Sequence, residues 1–170
     1  YVGSNDYIFR PRGIISLGRG TRSTWWSAED DAISIGFFSG KAWRVGFSGN
    51  LLWERKADTN VALRIMGVPD TKFGAEAGAF VEFYPTSWLR GRVDLRRGIV
   101  AHDGVVAEVK VEAFQRIGAW SIGAGPRMTV ASADYVRTYF GGGWAGNGGL
   151  LQRFNTGVHS VGAIAQATYA

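Results

Sequence analysis

Between Glu76 and Glu112 the chain alternates polar and apolar residues in three successive segments. The first reads Glu76, Ala77, Gly78, Ala79, Phe80, Val81, Glu82, Phe83. The second reads Leu89, Arg90, Gly91, Arg92, Val93, Asp94, Leu95, Arg96. The third reads Ala107, Glu108, Val109, Lys110, Val111, Glu112, Ala113. A period of two predicts β-strands, because successive side chains point to opposite faces of a sheet. Here one face holds every charge and the other is apolar or small. A soluble sheet would turn the charged face outwards. A membrane barrel would turn the apolar face to lipid and the charged face to its lumen.

The same reading along the chain predicts about nine strands, at 9–19, 31–39, 43–55, 74–84, 88–97, 104–115, 119–130, 135–141 and 156–169. Helical periodicity is scarce. Three connections are short, at 40–42, 85–87 and 116–118, and three are long, at 20–30, 56–73 and 142–155. The first two long ones alternate with the short ones, which places them at opposite ends. Outer-membrane barrels have short periplasmic turns and longer outer loops, so the short turns are assigned to the periplasm. Residues 142–155, with Gly142, Gly143, Gly148 and Gly149, fit either a loop or an inward fold.

Composition tips the choice towards the barrel. The 170 residues suit one domain, 1–170. No apolar run approaches the ~20 residues of a transmembrane helix, whereas a strand crosses in ~9–11. The mean hydropathy of -0.03 fits lipid-facing and lumen-facing residues that cancel. The absence of Cys fits an exported bacterial protein. No signal peptide stands at Tyr1, so the chain is expected to be mature or truncated. The net charge of +5 raises the question of nucleic acid. The Arg residues, however, are spread along strands and interleaved with Glu and Asp. No basic run or aromatic-basic RNA motif occurs, and no nucleic-acid partner is expected.

The two faces follow from the alternation. The lipid face is expected to carry Ile33, Ile35, Phe37, Val45, Phe47, Leu51, Trp53, Ala79, Val81, Phe83, Leu89, Val93, Leu95, Val109, Val111, Trp120, Ile122, Val161, Ala163, Ala165 and Tyr169. The lumen face is expected to carry a charge network of Glu76, Glu82, Arg90, Arg92, Asp94, Arg96, Glu108, Lys110 and Glu112. Arg10, Arg12, Arg44, Ser48, Asn50, Arg127, Gln166 and Thr168 share that face. The sign alternates from strand to strand, and strands lie ~4.8 Å apart, so cross-strand ion pairs are within reach. Glu82, Arg92 and Glu108 or Glu112 are expected in one network. These charges either satisfy one another in a packed lumen or line a conducting pore. Trp25, Trp26, Trp43, Trp53, Trp88 and Trp120 fall near strand ends, as in the aromatic girdles of membrane interfaces. Core packing of a soluble β-sandwich is the alternative.

Little in the chain points to catalysis. His102 and His159 have no metal-ligand spacing with another His, Cys or paired carboxylate. His102 and Asp103 are expected in a solvated turn. Ser160, His159 and Asp103 could compose a hydrolase triad, but nothing in the sequence orients them. Gly18-Arg19-Gly20 and Gly123-Ala124-Gly125 fall in strands with no helix behind them, so they are not phosphate loops. No cofactor, metal or enzymatic activity is expected.

Three groups of residues carry a family resemblance. Tyr1, Gly3, Ser4, Asp6, Tyr7 and Pro11 form the first, and Leu63, Gly67, Asp70, Glu76, Ala77, Gly78 and Phe80 the second. The third and most specific is Gly125, Pro126, Thr129, Ala133, Asp134, Tyr135, Tyr139, Phe140 and Gly141, followed by Gly157, Gly162, Ala167, Thr168 and Tyr169. Together they resemble the MipA/OmpV family of outer-membrane proteins, the MltA-interacting proteins, over nearly the whole chain. Residues 142–155 depart from the family pattern. The resemblance implies a parent protein longer at both ends, with ten to twelve strands, in the bacterial outer membrane. It gives Asp134, Tyr135, Tyr139, Phe140 and Gly141 a structural rather than catalytic role.

The expected fold is therefore all-β, an antiparallel transmembrane β-barrel. The expected function is a structural and interaction scaffold set in outer-membrane lipid. The resemblance implies a lytic transglycosylase or a murein synthase as partner. The alternative is a small porin with a charged lumen, since a barrel of ten to twelve strands lies between one filled by side chains and one wide enough to conduct.

Overall fold

The computed structural model describes residues 16–18, 26–28, 30–53, 72–100, 102–140 and 156–169. Among the described residues, eight strands form one sheet in chain order. They are β1 (Ser16–Gly18), β2 (Ile33–Ser39), β3 (Trp43–Leu52), β4 (Gly74–Thr86), β5 (Leu89–Val100), β6 (Val105–Ile117), β7 (Trp120–Ala131) and β8 (Gly157–Tyr169). Every neighbouring pair from β2 to β8 is antiparallel. Among the described residues no helix is long and apolar enough to cross a membrane.

The alternation sets the register. Val81 faces Val93 and Val93 faces Val109, while Glu82 faces Arg92 and Arg92 faces Lys110. Apolar rows thus stack on one face and charged rows on the other. Val81, Val93 and Val111 are 49%, 47% and 44% exposed, whereas Glu82, Arg92 and Lys110 are 0%, 2% and 1% exposed. The apolar face is the outer one, and the charged face is enclosed.

The enclosure comes from curvature. In a flat sheet β2 and β5 would stand about 14 Å apart, three inter-strand steps. Arg92 on β5 nevertheless donates to Ser34 Oγ on β2 at 2.7 Å. The wall must curl to bring them together, as part of a barrel does.

The hairpin turns between β2 and β3, β4 and β5, and β6 and β7 lie at one end. The last two are only two residues long. Gly118 occupies one of them at φ 61°, a left-handed conformation that a side chain would strain. Trp43, Trp88, Trp120 and Tyr169 are exposed at this end, and Trp120 meets Tyr169 edge-on at 5.1 Å. Trp53 and Phe73 pair at the other end.

Four expectations change. Residues 135–141 were expected as a strand, but Ala133–Phe140 is a helix, α1. Ser132 starts it: its Oγ accepts from the amide of Tyr135 at 3.5 Å, and Asp134 stands in the first turn. This cap outweighs the β-prone Tyr, Val and Thr that follow. Secondly, β1 runs parallel to β2. A parallel neighbour requires the chain to return to the starting end first, and residues 26–28 and 30–32 lie on that return path, against the inner face. Thirdly, Trp26 is buried by this return, not set in an interfacial girdle. Fourthly, His102 is buried instead of solvated, as described below. Residues 9–15, Arg10, Arg12, Trp25, Gly141 and the segments 56–71 and 142–155 lie outside the described residues.

Candidate functional site

The inner face is built on charge. Glu82 on β4 is its hub. Its Oε1 accepts from Arg90 at 2.6 Å and Arg92 at 2.8 Å. Its Oε2 accepts from Arg44 Nε at 2.9 Å and Tyr84 Oη at 3.2 Å. Arg90 also donates to Glu112 at 2.6 Å and Arg92 to Asp94 at 2.6 Å. Arg96 continues the chain, 3.6 Å from Asp94, 3.1 Å from Glu76 and 3.3 Å from Glu108. Phe80 is sealed among them, with the Arg92 guanidinium 4.4 Å and the Arg44 guanidinium 5.3 Å from its ring centre. All nine residues expected in a charge network stand on this face. Arg92 reaches Glu82 and Asp94 directly, Glu112 through Glu82 and Arg90, and Glu108 through Asp94 and Arg96 or through Asp31 and Lys110.

Residues 26–32 complete the network from inside. Asp31 accepts from Arg90 at 2.6 Å and pairs with Lys110 at 3.2 Å. Asp30 pairs with Arg127 and with Lys110. Trp26 stacks on Phe114, ring centres 5.2 Å apart and nearly parallel, with Gly123 leaving room for its ring. Tyr84 Oη donates to the Trp26 carbonyl and Gln166 to the Ser27 carbonyl. The sequence pattern assigned 20–30, with Asp30, to a loop and 31–39, with Asp31, to a strand, and missed both as members of the network. A signal existed: the expected inner face set six cations, Arg44, Arg90, Arg92, Arg96, Lys110 and Arg127, against five carboxylates, Glu76, Glu82, Asp94, Glu108 and Glu112, so at least one further carboxylate was needed nearby.

At the opposite end from the short turns, Gly104 leaves room for Tyr135, and Gly98 lacks the Cβ that would keep a side chain from folding back onto the wall. His102 takes that space. Its Nδ1 accepts from the Gly104 amide at 3.1 Å, so in neutral imidazole the proton is on Nε2, 3.3 Å from Glu76 Oε1. Tyr135 of α1 stands edge-on to both His102 and His159, at 5.0 and 5.7 Å. His159 turns inward because β8 carries an extra residue between the Thr129–Ser160 and Val130–Val158 pairs. Asp103 is exposed and not brought to Ser160 and His159 by any contact, so no triad assembles there.

Of the motif residues, Asp134 forms an exposed pair with Arg137 at 3.4 Å, and Tyr135 is the aromatic contact just described. Tyr139 and Phe140 end α1, and Gly141 lies outside the described residues. Among the described residues no group of three His, Cys, Asp or Glu could hold a metal ion.

The chain finds no match among curated proteins or solved structures. A family model described as MltA-interacting protein MipA matches residues 1–169. An all-β wall with an apolar outer face and an ion-paired interior is consistent with an outer-membrane β-barrel, and the chain belongs to the MipA, MltA-interacting protein, family.

Proposed function

We propose that this protein is an outer-membrane β-barrel that serves as an interaction scaffold for murein-processing enzymes, not as an open channel. The family's name points to a lytic transglycosylase as the partner. The observation that carries the reading is the filled interior. Arg90, Arg92, Glu82, Asp94, Lys110 and Glu112 are all 2% exposed or less, and Asp31 and Trp26 close over them. A pore selective for one sign of ion needs an uncompensated charged ring or stripe. A basic stripe would have to be built from Arg10, Arg12, Arg44 and Arg127; Arg44 and Arg127 each pair with a carboxylate, and Arg10 and Arg12 lie outside the described residues. In this reading the outer face, with Val81, Val93 and Val111, meets lipid, and the short turns face the periplasm. No catalytic role is proposed.

The test is conductance of the full-length protein in planar bilayers, together with retention of a purified lytic transglycosylase on a column of it. Low conductance with retention is expected. Stable anion-selective openings that vanish when Arg44 and Arg127 are neutralised would establish the porin reading instead.

A further inference from the structure

A cavity of about 310 Å³ lies at the long-loop end of the inner face, beside Tyr135 of α1. Its volume is at the lower end of the range for small-molecule sites, about 300–1,000 Å³. The charged groups in its wall are already engaged. Arg96 is held by Glu76 and Glu108, and Arg127 by Asp30. A free anion would compete with these carboxylates, and a free cation with these guanidinium groups.

What stands outside the ion pairs is neutral. Asn50, Thr129 and Ser160 line the cavity, and their side chains make no hydrogen bond or ion pair among the described residues. They are half-buried or exposed, so a solute can reach them. Thr129 and Ser160 are cross-strand partners on β7 and β8, and Asn50 stands on β3. Asp30 adds a buried Oδ1 that lacks a hydrogen-bond partner. The unmet set is one carboxamide, two hydroxyls, one carboxylate oxygen and the Nη1 donor of Arg96, which is also buried without a hydrogen-bond partner. Each of the first three both donates and accepts. A ligand whose groups also do both, spaced around a compact ring, satisfies them together.

We propose that this cavity binds one residue of a neutral sugar, with Asn50, Thr129 and Ser160 as its hydrogen-bonding partners. The wall's own ion pairs stay intact on binding, which is why a neutral ring is preferred over its charged analogues.

Saturation-transfer NMR on the full-length protein in phosphatidylcholine nanodiscs tests this, with glucose and N-acetylglucosamine as neutral probes and glucuronate and glucosamine as charged ones. Transfer to a neutral probe is expected, with Kd at least tenfold lower than for the charged pair. Thr129→Val with Ser160→Ala should weaken neutral binding at least tenfold. Asn50→Leu is the second variant, should the first fail to fold. Absence of transfer to both neutral probes, equal binding of the charged sugars, or unchanged binding by a folded variant would each overturn the assignment.

Discussion

Replacing Glu82 by Gln removes one charge from the most enclosed part of the protein while keeping nearly the same shape. Four cations, Arg44, Arg90, Arg92 and Lys110, face four carboxylates, Asp31, Glu82, Asp94 and Glu112, and all are buried. The variant leaves one positive charge uncompensated. It also turns an NH2 group towards guanidinium or hydroxyl donors, because both Glu82 oxygens now accept. At an effective dielectric constant of about 20, unit charges about 4 Å apart interact by about 4 kcal/mol. Breaking a buried pair by removing one partner costs about 3–5 kcal/mol. The folding equilibrium should therefore fall roughly 100- to 4,000-fold. Urea titration of the protein folded into lipid vesicles, followed by tryptophan fluorescence, measures this. Adding Arg92→Met removes the surplus cation, and the double variant should recover about 0.5–3 kcal/mol relative to additivity. A loss below about 1 kcal/mol for Glu82→Gln, the range of solvent-exposed pairs, would refute the argument and mean a wet, wide interior.

Two further outcomes test other parts of the fold. Val93→Arg, on the outward face between Val81 and Val109, should cost about 2–4 kcal/mol near the bilayer midplane, and a neutral result in the same urea titration would contradict a lipid-facing position. Ser132→Ala removes the acceptor for the amides of Val105, at 2.9 Å, and Tyr135. The loss of about 0.5–2 kcal/mol expected for a helix cap should speed amide exchange at Tyr135 roughly 2- to 30-fold, and unchanged protection would argue that packing alone holds α1.

Alternation by itself determined strands β2 to β8 and the face of most residues on them. The period of two is a local property of extended backbone, so Val81, Val93 and Val111 could be placed opposite Glu82, Arg92 and Lys110 without knowing the fold. The short turns followed for the same reason, because they interrupt that pattern. The bulge at His159 was invisible, since one extra residue shifts the face without changing the composition. Helix α1 left a local trace in Ser132 and Asp134, which the β-prone residues after it obscured. Only the tertiary structure decided the ion-pair partners and the fate of residues 26–32. Curvature brings Ser34 to Arg92 across three inter-strand steps. The parallel pairing of β1 with β2 requires a return, and its inward path delivers Asp30 and Asp31 to cations on β5, β6 and β7. Such contacts join residues far apart in the chain, as far as Ser27 and Gln166. They depend on how the whole wall closes around its charges, which no local periodicity encodes.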